Sequence, residues 1–187
     1  MNYNSYKELL KSRLTGKRYY HSLCVADEAK RLAVKYGADA KKAYLAGLLH
    51  DITKNETDEE QLHLLKKFDI IADNVTLGSN KLWHAVTGAA FIEKVLKIED
   101  KEIISAVRYH TTAKKNMTLL EKILYLADFS SADRDYDDVD VMREMVDISL
   151  NEAMRYALSY TITELVEKQV PIHPDTFGAY NEVMEVK

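Results

Sequence analysis

The sequence predicts an all-α protein, a single compact domain of about nine to ten helices. Three observations carry this reading. Pro and Gly, the residues that interrupt helices, number 2 and 6 in 187 residues, so 8 of 187 is about 4% where roughly 12% is usual. Apolar residues recur at i, i+3 and i+4 along most of the chain. Thr57 with Glu60, and Thr118 with Glu121, have the spacing of a capping box, in which hydroxyl and carboxylate satisfy the free amides of a helix start. An apolar fraction of 47% and a charged fraction of 30% provide for a core and a solvated surface.

Taken in order, the apolar spacing predicts a first helix over about 5–14 and a second over 18–36, stopped by Gly37. A third follows over 39–50, and a fourth over 58–68 behind Thr57. The stretch 69–82, with Asn74, Gly78, Ser79 and Asn80, reads as a surface loop. Helices over 84–97 and 100–110 come next, then one over 119–128 behind Thr118. Residues 130–138, SSADRDYDD, read as a turn-rich acidic loop carrying one arginine. Two more helices cover 140–148 and 150–168. The segment 170–180, VPIHPDTFGAY, contains both prolines and reads as an extended crossing, because each Pro disfavours helix in the residue before it. No linker or repeat divides the chain, so 1–187 is read as one domain, with a motif core at about 15–130 and a helical C-terminal part at 139–187.

The net charge is −4, and no long basic run offers a footprint for nucleic acid or an anionic membrane. Small molecules are the expected ligands. The single cysteine, Cys24, has no internal disulfide partner. The start MNYNSYKELLK lacks an apolar signal core, and no apolar run approaches the roughly 18 residues of a membrane span. The expected location is the cytoplasm.

Five ionisable residues stand on helix faces that should be apolar. His21 shares a stripe with Val25, Ala29 and Leu32, His50 follows Ala43, Ala46 and Gly47, and His84 precedes Gly88, Phe91 and Val95. His110 follows Ile103, Ala106 and Val107, and Asp128 follows Leu120 and Leu124. Any one of them alone reads as a core residue satisfied by a neighbouring carbonyl or base. Together, at roughly 2–7 kcal/mol for each unpaired burial, they should be partners of one another. With Asp51 beside His50, four imidazoles and two carboxylates suit Fe, Zn or Mn. Six ligands are many for one catalytic metal, so two metals sharing a bridging carboxylate account for them better.

The segments that carry these residues, RYYHSLCVA, LAGLLHDITK, LWHAVTGA, VRYHTTA and YLADF, resemble the HD-domain superfamily of metal-dependent phosphohydrolases, and most of all its YqeK-type branch. The likeness extends over about residues 15–180. Members of that branch are described as symmetrical bis(5′-nucleosyl)-tetraphosphatases, which cut diadenosine tetraphosphate into two ADP at a di-iron centre. The resemblance therefore implies an HD-type fold around a buried binuclear site. One metal would be held by His21, His50, Asp51 and Asp128, and the other by His84, His110 and a bridging Asp51. Two divalent transition-metal ions are implied, iron first, with Mn or Zn as alternatives. His50, Asp51 and Lys54 would form the catalytic group. Arg18, His21, Lys54, Thr111 and Arg134 would contact the substrate, with Val170, Ile172 and His173 along the nucleotide and 139–187 closing the site. The implied partner is a small nucleotide, diadenosine tetraphosphate with ADP or GDP as product, rather than nucleic acid or a membrane. A homodimer is left open.

Two divalent ions bring +4 and the two aspartates −2, so the implied centre is an anion site, and the expected chemistry is hydrolysis by a metal-activated hydroxide. Bland alternatives stand beside several of these roles. Arg18 and Arg134 also read as ion-pair partners of acidic neighbours, and Lys54 as a solvated lysine at a helix end. Tyr19, Tyr20, Tyr109, Tyr125 and Trp83 read mostly as core walls. His63, between Leu62 and Leu64, matches no motif and is read as packing or surface. The competing functions are HD-type hydrolysis of mononucleotides or cyclic dinucleotides, and a metal-containing nucleotide sensor without turnover.

Overall fold

Small side chains set a close contact between α2 (Gly16–Tyr36) and α3 (Ala40–Leu49). In this computed structural model, which describes residues 3–185, Ala26, Ala29, Ala33, Ala43 and Ala46 are all fully buried. A Cβ placed on Gly47 would lie 2.7 Å from Ala26 Cα and 2.9 Å from the Val25 carbonyl oxygen. Only glycine lets the two backbones approach this far. The turn between the helices uses Gly37 in the left-handed region at φ 76°, with the Ala38 amide closing onto Ala33 O at 2.9 Å. The side chain of Asp39 then caps α3 through the amides of Lys41 and Lys42.

Around this pair stand α1 (Tyr3–Arg13), α6 (Asn80–Lys94), α7 (Lys101–Tyr109) and α8 (Leu119–Ser130). Helix α8 packs on α2, α3 and α7, and α7 bridges α3 to α6. Both anticipated capping boxes are present, at Thr57 for α4 (Asp58–Lys67) and at Thr118 for α8. Helices α9 (Val139–Ile148), α10 (Leu150–Glu167) and α11 (Pro174–Glu185) complete one side of the core, α9 and α10 both lying against α8. The described residues form eleven helices and no strand. None of these helices is long and apolar enough to cross a membrane.

Two segments differ from the sequence-based expectation, which is why the helix count rises above nine to ten. The expected loop at 69–82 contains α5 (Asn74–Leu77), capped by Asp73 Oδ1 from the amides of Val75 and Thr76, and α6 begins at Asn80 rather than at 84. The polar residues there act as helix starts as well as loop formers. The segment 170–180 is extended only to His173, because Pro174 opens α11. A proline in the first turn loses nothing, since the amide it lacks would have had no intrahelical partner.

Because the α2–α3 approach leaves no room for a methyl group, Gly47→Ala is expected to lower stability by about 1–3 kcal/mol through overpacking. Urea denaturation followed by circular dichroism measures it, and an unchanged midpoint would show that the two helices can separate without cost.

Candidate metal centre and active site

Helix ends aim two of the histidines. His50 and His110 are the C-cap residues of α3 and α7, and each turns its ring back so that Nδ1 donates to the carbonyl three residues earlier, Gly47 O and Val107 O, both at 2.7 Å. The proton is thereby held at Nδ1, and the Nε2 lone pair faces inward. His21 projects from the second turn of α2, and its Nδ1 donates to Asp133 Oδ2 at 2.8 Å. His84 stands on α6, whose start is anchored by Trp83 Nε1 donating to Thr76 O at 2.8 Å and by the Thr53 hydroxyl donating to His84 O at 3.0 Å. Asp128 comes from the last turn of α8.

These side chains converge. The four imidazoles form an edge-to-face chain, with ring centres 5.2 Å apart for His21 and His50, 5.0 Å for His50 and His110, and 5.1 Å for His84 and His110. Asp51 lies among them with its two oxygens facing opposite ways. Oδ1 is 3.2 Å from His84 Nε2 and 3.7 Å from His110 Nε2, whereas Oδ2 is 3.6 Å from His50 Nε2. Asp128 Oδ1 lies 3.0 Å from His21 Nε2 and 3.9 Å from His50 Nε2. Three overlapping sets of donor atoms each fall within 4.8 Å of one another: His21, His50 and Asp51; His50, His110 and Asp128; Asp51, His84 and His110.

The buried nitrogens His21 Nε2 and His50 Nε2 have no hydrogen-bond partner, although carboxylate oxygens are close by. A buried nitrogen with a free lone pair is costly unless something electrophilic meets it. This donor set, of four imidazoles, three of them held at the far nitrogen, and two carboxylates, fits a divalent metal.

The charge states of His50, His84, Asp51 and Asp128 agree with that fit. Burial pushes His50 down to about 4 and His84 down as well, so both stay neutral against the pull of Asp51. Burial would raise the Asp51 carboxyl, but the adjacent His50, His110, His84 and Lys54 outweigh it and hold the group well below the usual range. Asp128 is likewise held ionised, against its burial, by Arg134 and His21. For His21, burial and Arg134 push down, but Asp128 and Asp133 outweigh them and its pKa rises.

Residues 18–133 match the HD domain, a stretch that spans every one of these side chains. The chain belongs to the HD-domain family. HD domains bind divalent metal, and the paired His50-Asp51 stands at the centre of the cluster. A Halalkalibacterium halodurans protein named bis(5′-nucleosyl)-tetraphosphatase, symmetrical, is 37% identical over 98% of this chain and 98% of its own length. A Bacillus subtilis protein of the same name is 35% identical over 97% of each chain. The crystal structure of an HD superfamily hydrolase from Clostridium acetobutylicum, described as involved in NAD metabolism, superposes with a TM-score of 0.96 at 34% identity and covers 100% of this chain and 99% of its own.

The cations expected at the HD centre stand at its rim. Arg18 Nη1 is 3.1 Å from Asp51 Oδ2, and Arg134 bonds the Asp128 carboxylate and its backbone oxygen. Both therefore form the acidic pairs that were the bland alternative, and the acids they meet belong to the cluster. Helix α3 ends at Leu49, but i to i+3 turns, including Lys54 N to Asp51 O at 2.8 Å, carry the chain on, and Lys54 Nζ reaches both ring nitrogens of His84 at 3.1 Å. The Thr111 hydroxyl lies 3.2 Å from His110 Nε2 and 3.4 Å from His84 Nε2.

The expected nucleotide segment is different. His173 is buried with both nitrogens engaged: Nε2 lies 2.9 Å from Asp73 Oδ2 and 3.0 Å from the Thr76 hydroxyl, and Nδ1 accepts from the Asp175 amide at 3.1 Å. It fastens α11 to α5. Val170 is exposed and Ile172 half-buried. His63 is exposed on α4, away from the cluster.

Sequence reasoning missed Asp133 and Arg143. The sole hint of Asp133 was its place beside Arg134 in the acidic loop. Arg143, from α9, donates to Ser131 O at 3.1 Å and Arg134 O at 3.0 Å and so holds that loop in place. Such partners of a metal-facing imidazole are typically worth 10- to 100-fold in metal affinity. Asp133→Ala is accordingly expected to weaken divalent-metal binding by about that factor while helicity is retained. Competition against a chelating dye reads the affinity, and wild-type affinity in the variant would show that His21 needs no outside support.

Proposed function

We propose that this protein hydrolyses diadenosine tetraphosphate and related dinucleoside polyphosphates symmetrically, to two nucleoside diphosphates, at a centre of two divalent transition-metal ions, iron foremost. The observation that carries the two-ion reading is Asp51, whose oxygens face separate nitrogen sets. The substrate reading rests on relatives of 37% and 35% identity, matched over nearly their full length, that bear the tetraphosphatase name.

In this reading His21, His50, Asp51 and Asp128 would hold one ion, and His84, His110 and the shared Asp51 the other. Bound divalent metal supplies a water whose pKa falls from 15.7 to about 7 and positive charge for the phosphoryl oxygens. The protein supplies the rest. The Nδ1 hydrogen bonds of His21, His50 and His110 keep those rings fixed, with their inner nitrogens turned to the centre. Arg18, Lys54 and Arg134 surround the centre with positive charge from three directions, and each has an N–H donor to turn from a carboxylate or imidazole onto a substrate phosphate. Thr111 adds a hydroxyl donor beside His84 and His110. Residues 139–187 close the nucleotide side of the site through α9, which steadies the loop bearing Arg134.

The wild-type protein loaded anaerobically with iron or manganese is expected to hold two ions per chain by native mass spectrometry, and Asp51→Ala to retain neither. A wild type that never exceeds one ion rules out the bridging arrangement. His63→Ala, on the exposed face of α4, is expected to leave turnover within about a factor of two, because surface substitutions cost about 0.5 kcal/mol or less.

Incubation with diadenosine tetraphosphate in ¹⁸O-labelled water, with products resolved by chromatography and mass spectrometry, is expected to yield two ADP, one of them labelled. AMP with ATP as the main pair would refute symmetrical cleavage. More efficient release of inorganic phosphate from mononucleotides would favour a general HD-type phosphohydrolase.

A further inference from the structure

Three polar side chains outside the metal cluster lie buried at positions where packing alone calls for apolar ones. Thr53 and Thr87 are fully buried and Gln61 nearly so. They come from three elements: the turn that follows His50 and Asp51, helix α6 and helix α4. The Thr53 hydroxyl faces His84 O at 3.0 Å and Thr87 Oγ1 at 2.9 Å, and the Thr87 hydroxyl faces Trp83 O at 3.0 Å and Gln61 Oε1 at 2.7 Å. The Gln61 amide closes the network by donating to Thr53 O.

This network ties together the two backbone segments that present one half of the cluster. Thr53 stands two residues after Asp51 and one before Lys54, and Thr87 lies one turn after His84. His84 differs from the other imidazoles in what stands behind its ring. His50 and His110 are tied to Gly47 O and Val107 O and His21 to Asp133, whereas His84 Nδ1 meets the Lys54 ammonium at 3.1 Å, which is not an acceptor. The place of His84 is therefore set by where α6 lies. That helix passes directly over the turn, since a Cβ on Gly88 would be 3.4 Å from Thr53 Oγ1 and 3.6 Å from His50 O. Valine at 53 and 87 would fill nearly the same volume with no polar atom to satisfy, so what the hydroxyls add is a fixed geometry.

We infer that Thr53, Thr87 and Gln61 are positioning residues for one ion of the pair: by fixing α6 against the turn after Asp51 they set the span from Asp51 Oδ1 to His84 Nε2, 3.2 Å, and with it the donor set of Asp51, His84 and His110. The inference rests on the two-ion reading of the proposed function. The network acts through backbone, at His84 O and Thr53 O, rather than through a ring nitrogen. The other donors have separate support: Asp133 stands behind His21, and His50 is held by its own helix at Gly47 O. Partners that orient metal ligands are typically worth 10- to 100-fold in affinity. Loss of this network therefore weakens one ion by about that factor and leaves the other in place.

The test uses the full chain loaded anaerobically with manganese, its two affinities read by native mass spectrometry and chelator competition. Thr53→Val is expected to bind one ion as the wild type does and the second about 10- to 100-fold more weakly, and Thr53→Ser, which keeps the hydroxyl, to return the second ion to within about threefold of wild type. Two ions at wild-type affinity in Thr53→Val overturn the inference, and so does equal weakening of both, which would mean that the change acts through the fold. Combined with Asp133→Ala, which loosens the support of His21, Thr53→Val is expected to weaken both ions, each by the factor of its single variant. A second substitution that adds nothing would assign both changes to one ion and overturns the inference. Gln61→Met, at the α4 end of the network, keeps the inference testable if Thr53→Val does not fold: a single ion is expected to weaken, and an unchanged pair of affinities overturns it. Failure of the two-ion reading is seen in the wild type before any variant is made, as a chain that never exceeds one ion, and the inference then falls with it.

Discussion

Six ionisable side chains meeting in one dry place is the constraint on which the rest of this structure depends. His50 is fully buried, and His21, Asp51, His84 and His110 nearly so. No arrangement of separate hydrogen bonds satisfies them, as the partnerless inner nitrogens of His21 and His50 show. The fold gathers the lone pairs and negative charges around one small volume, where a divalent ion offsets the desolvation of all of them at once. Stability and metal affinity are therefore linked at this centre.

The scaffold answers that constraint with close helix contact. Gly47 lies one turn before His50 and touches the backbone of α2 at Ala26, five residues after His21. The same contact that packs the core thus sets the 5.2 Å between the two rings. His50 and His110 use one device twice: a ring placed at a helix end, tied to the carbonyl three residues back, so that the helix itself fixes the tautomer. This is an economical way to orient a ligand, since it needs no additional side chain. His21 stands early in its helix, has no such carbonyl bond, and takes Asp133 from a distant loop.

That loop connects the two halves of the molecule in function as well as in sequence. It carries Asp133 for His21, Arg134 for Asp128, and Tyr136 for a cleft beside the cluster lined also by Phe129 and Tyr160, and it is held by Arg143 from α9. The C-terminal helices, which contribute none of the six clustered side chains, shape the site by bracing this segment and by lending it Tyr160.

By itself, the sequence determined the helical class, most helix spans, both capping boxes and the six clustered residues, because each of these rests on local spacing. A histidine on an apolar stripe is visible within one helix, and a cost of burial that no single position can meet is enough to group the positions. Tertiary structure alone decided which partners surround them. Asp133 lies 112 residues from His21 and Asp73 lies 100 from His173, and no periodicity relates positions that far apart. The same holds for Phe129, Tyr136 and Tyr160, which three separate elements bring to one cleft. Pro174 shows the local limit: its effect on His173 was legible, but the helix it opens depends on Thr176 and Ala179 finding a surface to bury against. Contacts between distant segments are set by how whole helices pack, and packing is a property of the assembled core.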